Sequence, residues 1–240
     1  MKGIIEALEI SLADLRDVLF PRRCCVCEDP LCRDECDICS SCLEELPLTY
    51  FWDWVQNPAF ERMVRYAPVE AAASLFFFRE EAGYSHILHS IKYNGRKDLG
   101  RCVGRMLGEK LASSPSFAGI DAVAPVPLHP LRKWRRGYNQ AEIIASAVAE
   151  AMGRPLLPDL LRRTRNTRTQ TRLRGASKRT NVRGAFAIGR VPRMLFSDPD
   201  EKPHILLIDD VLTTGSTLGE CAKTLMPHFR VSAASIAFVG

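Results

Sequence analysis

Nothing in this sequence approaches the roughly eighteen consecutive apolar residues of a membrane-spanning helix, so none is expected. No secretory leader is expected either. Glu6, Glu9, Asp14 and Asp17 interrupt what would be its apolar region. The expectation is a cytoplasmic protein with no membrane insertion. No Gly-Lys-Ser or Gly-Lys-Thr occurs, which excludes a Walker A loop. Cysteine is scarce outside one window: seven of nine fall between Cys24 and Cys42. In a reducing compartment such clustering favours metal over disulfides. Acidic residues are absent from Arg162 to Arg183, where nine basic residues stand. The remaining 24 Lys and Arg face 28 Asp and Glu, so the net charge of +5 belongs to one segment and the rest is net −4.

What the sequence does have is HILLIDDVLTTGST, from His204 to Thr217. The apolar run Ile205 to Ile208 suits a strand buried on both faces. Asp209 and Asp210 follow, then Val211, Leu212 and the small turn Thr213, Thr214, Gly215, Ser216, Thr217. Thr217 and Glu220 have the spacing of a capping box, ahead of the apolar stripe Leu218, Cys221, Leu225. A strand, an acid pair, a hydroxyl-rich turn and a helix start aim N–H groups and hydroxyls at one spot. That spot suits a phosphate, and the adjacent carboxylates suit a sugar diol.

This stretch resembles the phosphoribosyl pyrophosphate (PRPP) motif of type I phosphoribosyltransferases. The resemblance implies that Asp209 and Asp210 orient the ribose and that Thr213, Thr214, Gly215, Ser216 and Thr217 hold the 5′-phosphate. Mg²⁺ would accompany PRPP, bridging ribose and pyrophosphate oxygens as the anomeric carbon passes through an oxocarbenium-like state. Ser216 stands where many members have a second glycine.

Cys24-x2-Cys27 and Cys39-x2-Cys42 lie eleven residues apart. That is the ligand spacing of a tetrahedral four-thiolate zinc site, closed and therefore structural. Cys25, Cys32 and Cys36 complicate the set. Cys32 and Cys36 are a second way to supply the far pair, and an iron–sulfur cluster takes the same ligands. The two-residue gap favours Cys39 and Cys42.

Along the chain, residues 4–19 read as an amphipathic helix stopped by Pro21. Residues 43–70 read as a mostly irregular connection carrying Trp52, Trp54 and Tyr66. Strands are predicted at Ala71–Phe78, Ile120–Val126 and Val231–Val239, and one starting at Ala185. Helices are predicted over Tyr84–Ile91, from a cap at Asp98, and from a cap at Asn139 with Glu142 to about Met152, ended by Gly153. The prolines in PVPLHP argue against a helix there, so Arg132, Lys133, Arg135 and Arg136 are expected in one cationic loop, between a strand end and a helix start. A second anionic group would dock in such a place. The phosphoribosyltransferase resemblance makes it the pyrophosphate loop.

The cysteine knuckles ending in Cys42-Leu43-Glu44-Glu45-Leu46-Pro47, the PVP…WRRGYNQAE run, Gln170 with Arg179 and Asn181, and the PRPP motif together resemble the ComF family of competence-associated phosphoribosyltransferase-like proteins. The match spans about residues 20–225. The extra cysteines and the insertion-like segment Val191 to Pro203 depart from it. The resemblance implies PRPP as ligand, a role in single-stranded DNA uptake during natural transformation, and a competence helicase as partner. An orphan phosphoribosyltransferase with an unidentified small-molecule acceptor is the alternative. The arginine segment, with Arg165, Arg168, Arg172, Arg174 and Arg179, reads as a cover over PRPP or a track for single-strand phosphates. The expected fold is α/β: a doubly wound, mainly parallel, type I phosphoribosyltransferase-like sheet with a small N-terminal zinc-binding knuckle. The expected divisions are a helix (1–20), the knuckle (21–48), a connection (49–67) and the phosphoribosyltransferase-like domain (68–240).

Overall fold

The computed structural model describes residues 22–32, 35–165, 184–195 and 201–240, the side chains at positions 135 and 194 excepted. The amphipathic helix expected over residues 4–19 lies outside them, as do Arg168, Arg172, Arg174 and Arg179. The chain divides between Leu46 and Pro47 into two compact units.

The first unit is small. An antiparallel bridge joins Arg23 to Pro30, a turn carries Cys25 to Cys27, and one short helix follows, α1 (Ser40–Glu44). Its cap is a cysteine: Cys39 Sγ accepts from the Cys42 N–H at 3.5 Å.

The second unit is built on a four-stranded, wholly parallel sheet. Its strands are β1 (Ala72–Phe78), β2 (Ala122–Pro125), β5 (His204–Leu212) and β6 (Arg230–Val239), in the order β1-β6-β5-β2. A separate antiparallel pair, β3 (Leu161–Arg163) and β4 (Phe186–Ile188), sets Arg163 opposite Phe186. Ile205 to Ile208 and Val231 to Phe238 are buried, which explains why these strands read as continuous apolar runs rather than alternating ones.

Helices cover both faces of the sheet. The long helices α4 (Lys97–Ala112) and α6 (Gln140–Met152) pack on each other, with α6 on β2 and β5. Against the opposite face lies α7 (Ser216–Leu225), beside α2 (Pro58–Val64). This is the doubly wound arrangement that the sequence predicts. Gly104 and Gly108 let α4 and α6 nearly touch: a Cβ at Gly104 would lie 2.8 Å from the Ile144 carbonyl oxygen, and one at Gly108 2.7 Å from Ala151 Cβ. The first turn of α6, capped by the Asn139 side chain, brings Gln140 to Asp210 at the end of β5.

Three local expectations are corrected. The Pro127-to-Gly137 stretch is not all loop, because α5 (Pro130–Arg136) forms within it. A proline at the first helical position loses an N–H that no helix bond would use, and Gly137, at φ +81°, ends the helix. Asp98 does not cap α4. It sits in the helix's first turn and pairs with Arg101 at 2.6 Å. The connecting stretch contains a helix as well. Asn57 caps α2 by accepting from the Phe60 N–H at 2.9 Å, while its amide donates to the carbonyls of Phe51, Trp54 and Ala72. The remaining helix, α3 (Ser85–Tyr93), ends two residues later than predicted and so takes in Lys92 and Tyr93.

Candidate functional site

The end of β5 carries the acid pair into a cavity of about 240 Å³. Asp209, Asp210 and Thr217 line it together with Lys92, Arg132, Arg136, Gln140 and Arg163. Asp210 is buried and held from two sides: Lys92 Nζ lies 2.9 Å from its Oδ2, and Gln140 Nε2 donates to the same oxygen at 3.3 Å. Gln140 is in turn held by Arg136, whose guanidinium donates to its side-chain carbonyl. Asp209 accepts the Asp210 N–H at 2.9 Å. Burial raises the Asp209 carboxyl well above the usual carboxylate range, and the adjacent Asp210 charge adds to it. The cations are strained in the complementary sense. Arg132 is lowered by burial and by Arg136, and Arg163 by burial and by Arg132. Like charges crowded in one desolvated space favour a ligand that presents an anion to the arginines and hydroxyls or a cation to the acids.

The turn after β5 is shaped by backbone contacts rather than by charge. Gly215 adopts φ +82°, where side chains are disfavoured, and it is the cap of α7. The expected capping box does not form. Helix α7 starts at Ser216, which puts Thr217 inside it, and Glu220 instead accepts from the Gly184 N–H at 3.4 Å and pairs with Lys223 at 3.0 Å. Thr214 Oγ1 donates to Ser216 Oγ at 3.1 Å. A Cβ on Gly219 would lie 2.4 Å from Tyr66 Cβ, so glycine lets the Tyr66 side chain lie against α7. Arg62 on α2 ties the turn to the sheet. It donates to the carbonyls of Thr213 and Val239, and its guanidinium lies 4.1 Å above the Phe238 ring.

The structure therefore brings Asp209, Asp210, Thr217, Arg132 and Arg136 to one cavity and leaves Thr213, Thr214 and Gly215 on the turn after β5, with Ser216 the first residue of α7. Arg165 follows β3 at an exposed bend. Four residues of the site and its bordering turn are not among those the sequence singles out: Lys92, Gln140, Arg62, and Arg163, which stands in the sequence as one more charge of the arginine segment. A signal existed for Gln140: a helix that follows a parallel strand begins at the strand's carboxyl end, where open α/β sheets bind ligands.

A second cavity, of about 390 Å³, adjoins the first and shares Lys92, Tyr93, Arg132 and Arg136 with it. Gly95 and Tyr138 complete its lining. Tyr138 is anchored by donating its hydroxyl proton to the Ile91 carbonyl, and the Arg136 guanidinium lies 5.2 Å from the Tyr93 ring centre.

In the first unit, the sulfurs of Cys24, Cys27, Cys39 and Cys42 lie within 4.8 Å of one another, close enough to hold a metal ion such as zinc. Backbone N–H groups of Val26 and Cys39 point at Cys24 Sγ, at 3.4 and 3.3 Å. Burial pushes the Cys24 thiol up, but the N–H groups of Cys27, Cys39 and Val26 outweigh it and bring it down to about 7. The Asp29 backbone pulls Cys27 down, while desolvation, the Asp29 side chain and Cys24 push it up to about 11. Burial and the three neighbouring cysteines raise Cys42. A low Cys24 thiol beside three further sulfurs suits a cation at their centre.

No family model matches the chain. Competence protein F of Haemophilus influenzae is 30% identical over 176 residues, covering 71% of this chain and 69% of that protein. DNA utilization protein YhgH of Escherichia coli O157:H7 is 26% identical over 226 residues, 86% of this chain and 91% of that one. YhgH of Salmonella typhi is 29% identical over 145 residues, and the chain spans 60% of its length. Among solved structures, the glutamine PRPP amidotransferase from B. subtilis, complexed with ADP and GMP, covers 61% of this chain and 30% of its own at 20% identity. Its TM-score of 0.38 is too low to bear on chemistry. No described helix is long and apolar enough to cross a membrane.

Proposed function

This chain belongs to the ComF family of competence proteins, and on that premise we propose that it binds Mg²⁺–PRPP at the end of β5 and serves the handling of single-stranded DNA. One observation carries the PRPP part: an acid pair and a wall of cations face each other across one cavity beside a glycine-capped helix start. Asp209 and Asp210 accept hydrogen bonds from the ribose hydroxyls. Thr213 to Thr217 cradle the 5′-phosphate with N–H groups and hydroxyls. Arg132 and Arg136 meet the pyrophosphate, and Lys92 neutralises Asp210 until the sugar arrives. The crowded acid pair fits a divalent cation, and Mg²⁺ would supply charge neutralisation of the diphosphate there. Zinc on Cys24, Cys27, Cys39 and Cys42 holds the small unit together.

The DNA part rests on the names of the relatives, competence protein F and DNA utilization protein, and on the excess of arginine between Arg162 and Arg183. Arg165, Arg168, Arg172, Arg174 and Arg179 supply charge for a polyanion or a cover over PRPP. Calorimetry with Mg²⁺–PRPP tests the first part, and anisotropy with a labelled oligo-dT tests the second. Absence of heat at millimolar PRPP rejects the ligand, and absence of salt-sensitive oligonucleotide binding rejects the DNA role. Co-purification with a competence helicase tests the partner that the resemblance implies.

The adjoining cavity favours a second reading, in which the protein transfers phosphoribose to a small acceptor held by Tyr93, Tyr138 and the shared cations. Pyrophosphate release on adding an acceptor would establish it.

A further inference from the structure

Helix α5 carries two kinds of side chain. Arg132 and Arg136, four residues apart, line the ligand cavities. Leu131 and Trp134, three apart, share another face and stand in solvent, 56% and 82% exposed. Tryptophan is highly buried on average, so one this exposed on a formed helix marks a contact surface rather than a packing residue. Its surroundings are basic. The helix holds Arg132, Lys133, Arg135 and Arg136 and no acid. Glu142 reaches Lys133 at 3.1 Å from α6 and offsets one of these charges. Tyr93, 67% exposed, adds a second accessible ring on the cavity wall, beneath the Arg136 guanidinium.

An exposed ring embedded in a basic row is what an unpaired polynucleotide requires, because phosphates need charge and unstacked bases need a flat apolar surface. A duplex hides its base faces and gains nothing from Trp134. Two apolar residues on one short helix are too few to anchor the chain to a bilayer. We propose that Trp134 is a base-stacking contact for single-stranded nucleic acid, with Leu131 beside it and the α5 cations on the phosphates. This rests on the DNA part of the reading above and names a contact site for it. It assigns base contact to α5, leaving the arginine segment to electrostatics.

The two contributions separate by their salt dependence. Phosphate contacts release counterions and set the slope of log affinity against log salt, whereas a stacking contact releases none. The experiment compares the full-length protein with Trp134→Ala, using labelled oligo-dT and an abasic oligonucleotide of the same length across a salt series. The expected result is oligo-dT binding weakened roughly five- to a hundredfold at every salt concentration, with the slope unchanged. The abasic strand should bind parent and variant alike, and Trp134→Phe should retain most of the oligo-dT affinity. Because the ring is exposed, the melting temperature should not move, which separates lost contact from lost fold. If the parent binds oligo-dT and Trp134→Ala binds it equally well, the proposal fails alone and the surface serves a protein partner. An equal loss on the abasic strand also overturns it. A parent with no affinity for oligo-dT overturns both this proposal and the DNA reading beneath it.

Discussion

The cysteine cluster and the acid-pair cavity are built from opposite materials. In the cluster, Cys24 to Cys42 supply four like side chains from nineteen consecutive residues. In the cavity, Lys92, Arg132, Gln140, Arg163 and the Asp209–Asp210 pair come from separate elements that only the parallel sheet brings together. The cluster needs only local spacing to bring four sulfurs within reach of one ion. The cavity needs the whole fold, including the start of α6 that brings Gln140 to Asp210. A site whose order comes from an ion should collapse when the ion goes, and a site built by a fold should lose its ligand before it loses its shape.

The largest expected effect tests the first half of that contrast. Cys39→Ser with Cys42→Ser should reduce one zinc per chain to none, removing on the order of 10 kcal/mol of apparent binding free energy from local order. Elemental analysis and hydrogen exchange over residues 22–46 read it. Iron in place of zinc, or zinc retained in this variant but lost in Cys32→Ser with Cys36→Ser, would reject the assignment.

The second half predicts a different pattern. Asp209→Asn with Asp210→Asn should weaken Mg²⁺–PRPP binding at least about a hundredfold, since hydrogen bonds to charged groups contribute roughly 1.5–3 kcal/mol each. The circular dichroism spectrum should stay that of the parent. Unchanged calorimetric affinity would remove the acid pair from the site, and a lost spectrum would make it structural.

The same contrast explains what was legible in the sequence. The cysteine pairs and the turn after β5 are local, so their residues announce themselves by spacing. The parallel sheet was legible too, because buried strands such as Ile205–Ile208 admit no polar alternation. Lys92, Arg163 and Arg62 give no such signal, and Gln140 only the indirect one of its helix's place after a parallel strand, since each is ordinary in its own element and becomes notable only across the sheet end or against the Thr213 carbonyl. Helix α5 is hidden for a different reason. The prolines of PVPLHP read as breakers, although Pro130 just inside the start and Gly137 just past the end are the asymmetry that frames a helix.

A smaller effect probes the backbone half of the cavity. Gly219→Val should cost about 1–3 kcal/mol, because its Cβ would lie 2.4 Å from Tyr66 Cβ and push α7 from α2. Urea unfolding measures it, and a variant as stable as the parent would mean that Tyr66 moves aside freely. If the turn is the phosphate cradle, PRPP affinity should fall with stability.

The smallest expected effect has the opposite sign from the others. Asp209 is raised well above the usual carboxylate range by burial and by Asp210, so between its unfolded and folded pKa values the native state binds the extra proton. Stability attached to that proton is present at low pH and lost as pH rises through the raised folded value. Above that raised value the unliganded protein bears the full cost of two adjacent carboxylates, only one of which Lys92 contacts. Asp209→Asn removes the titrating group. It should raise the melting temperature at pH 8, by about 2–4 °C for each kcal/mol relieved in a domain of this size. The gain should shrink as pH falls towards about 4, near the unfolded carboxylate value. Saturating Mg²⁺–PRPP should reverse the order, because the parent gains the ligand's binding energy and the variant gains less of it. Thermal melts of both proteins from pH 4 to 8, with and without the ligand, check each step. A variant that melts below the parent at pH 8 without ligand would show that Asp209 supports the fold, as the cysteines do in theirs, and the contrast between the two sites would fail at that residue.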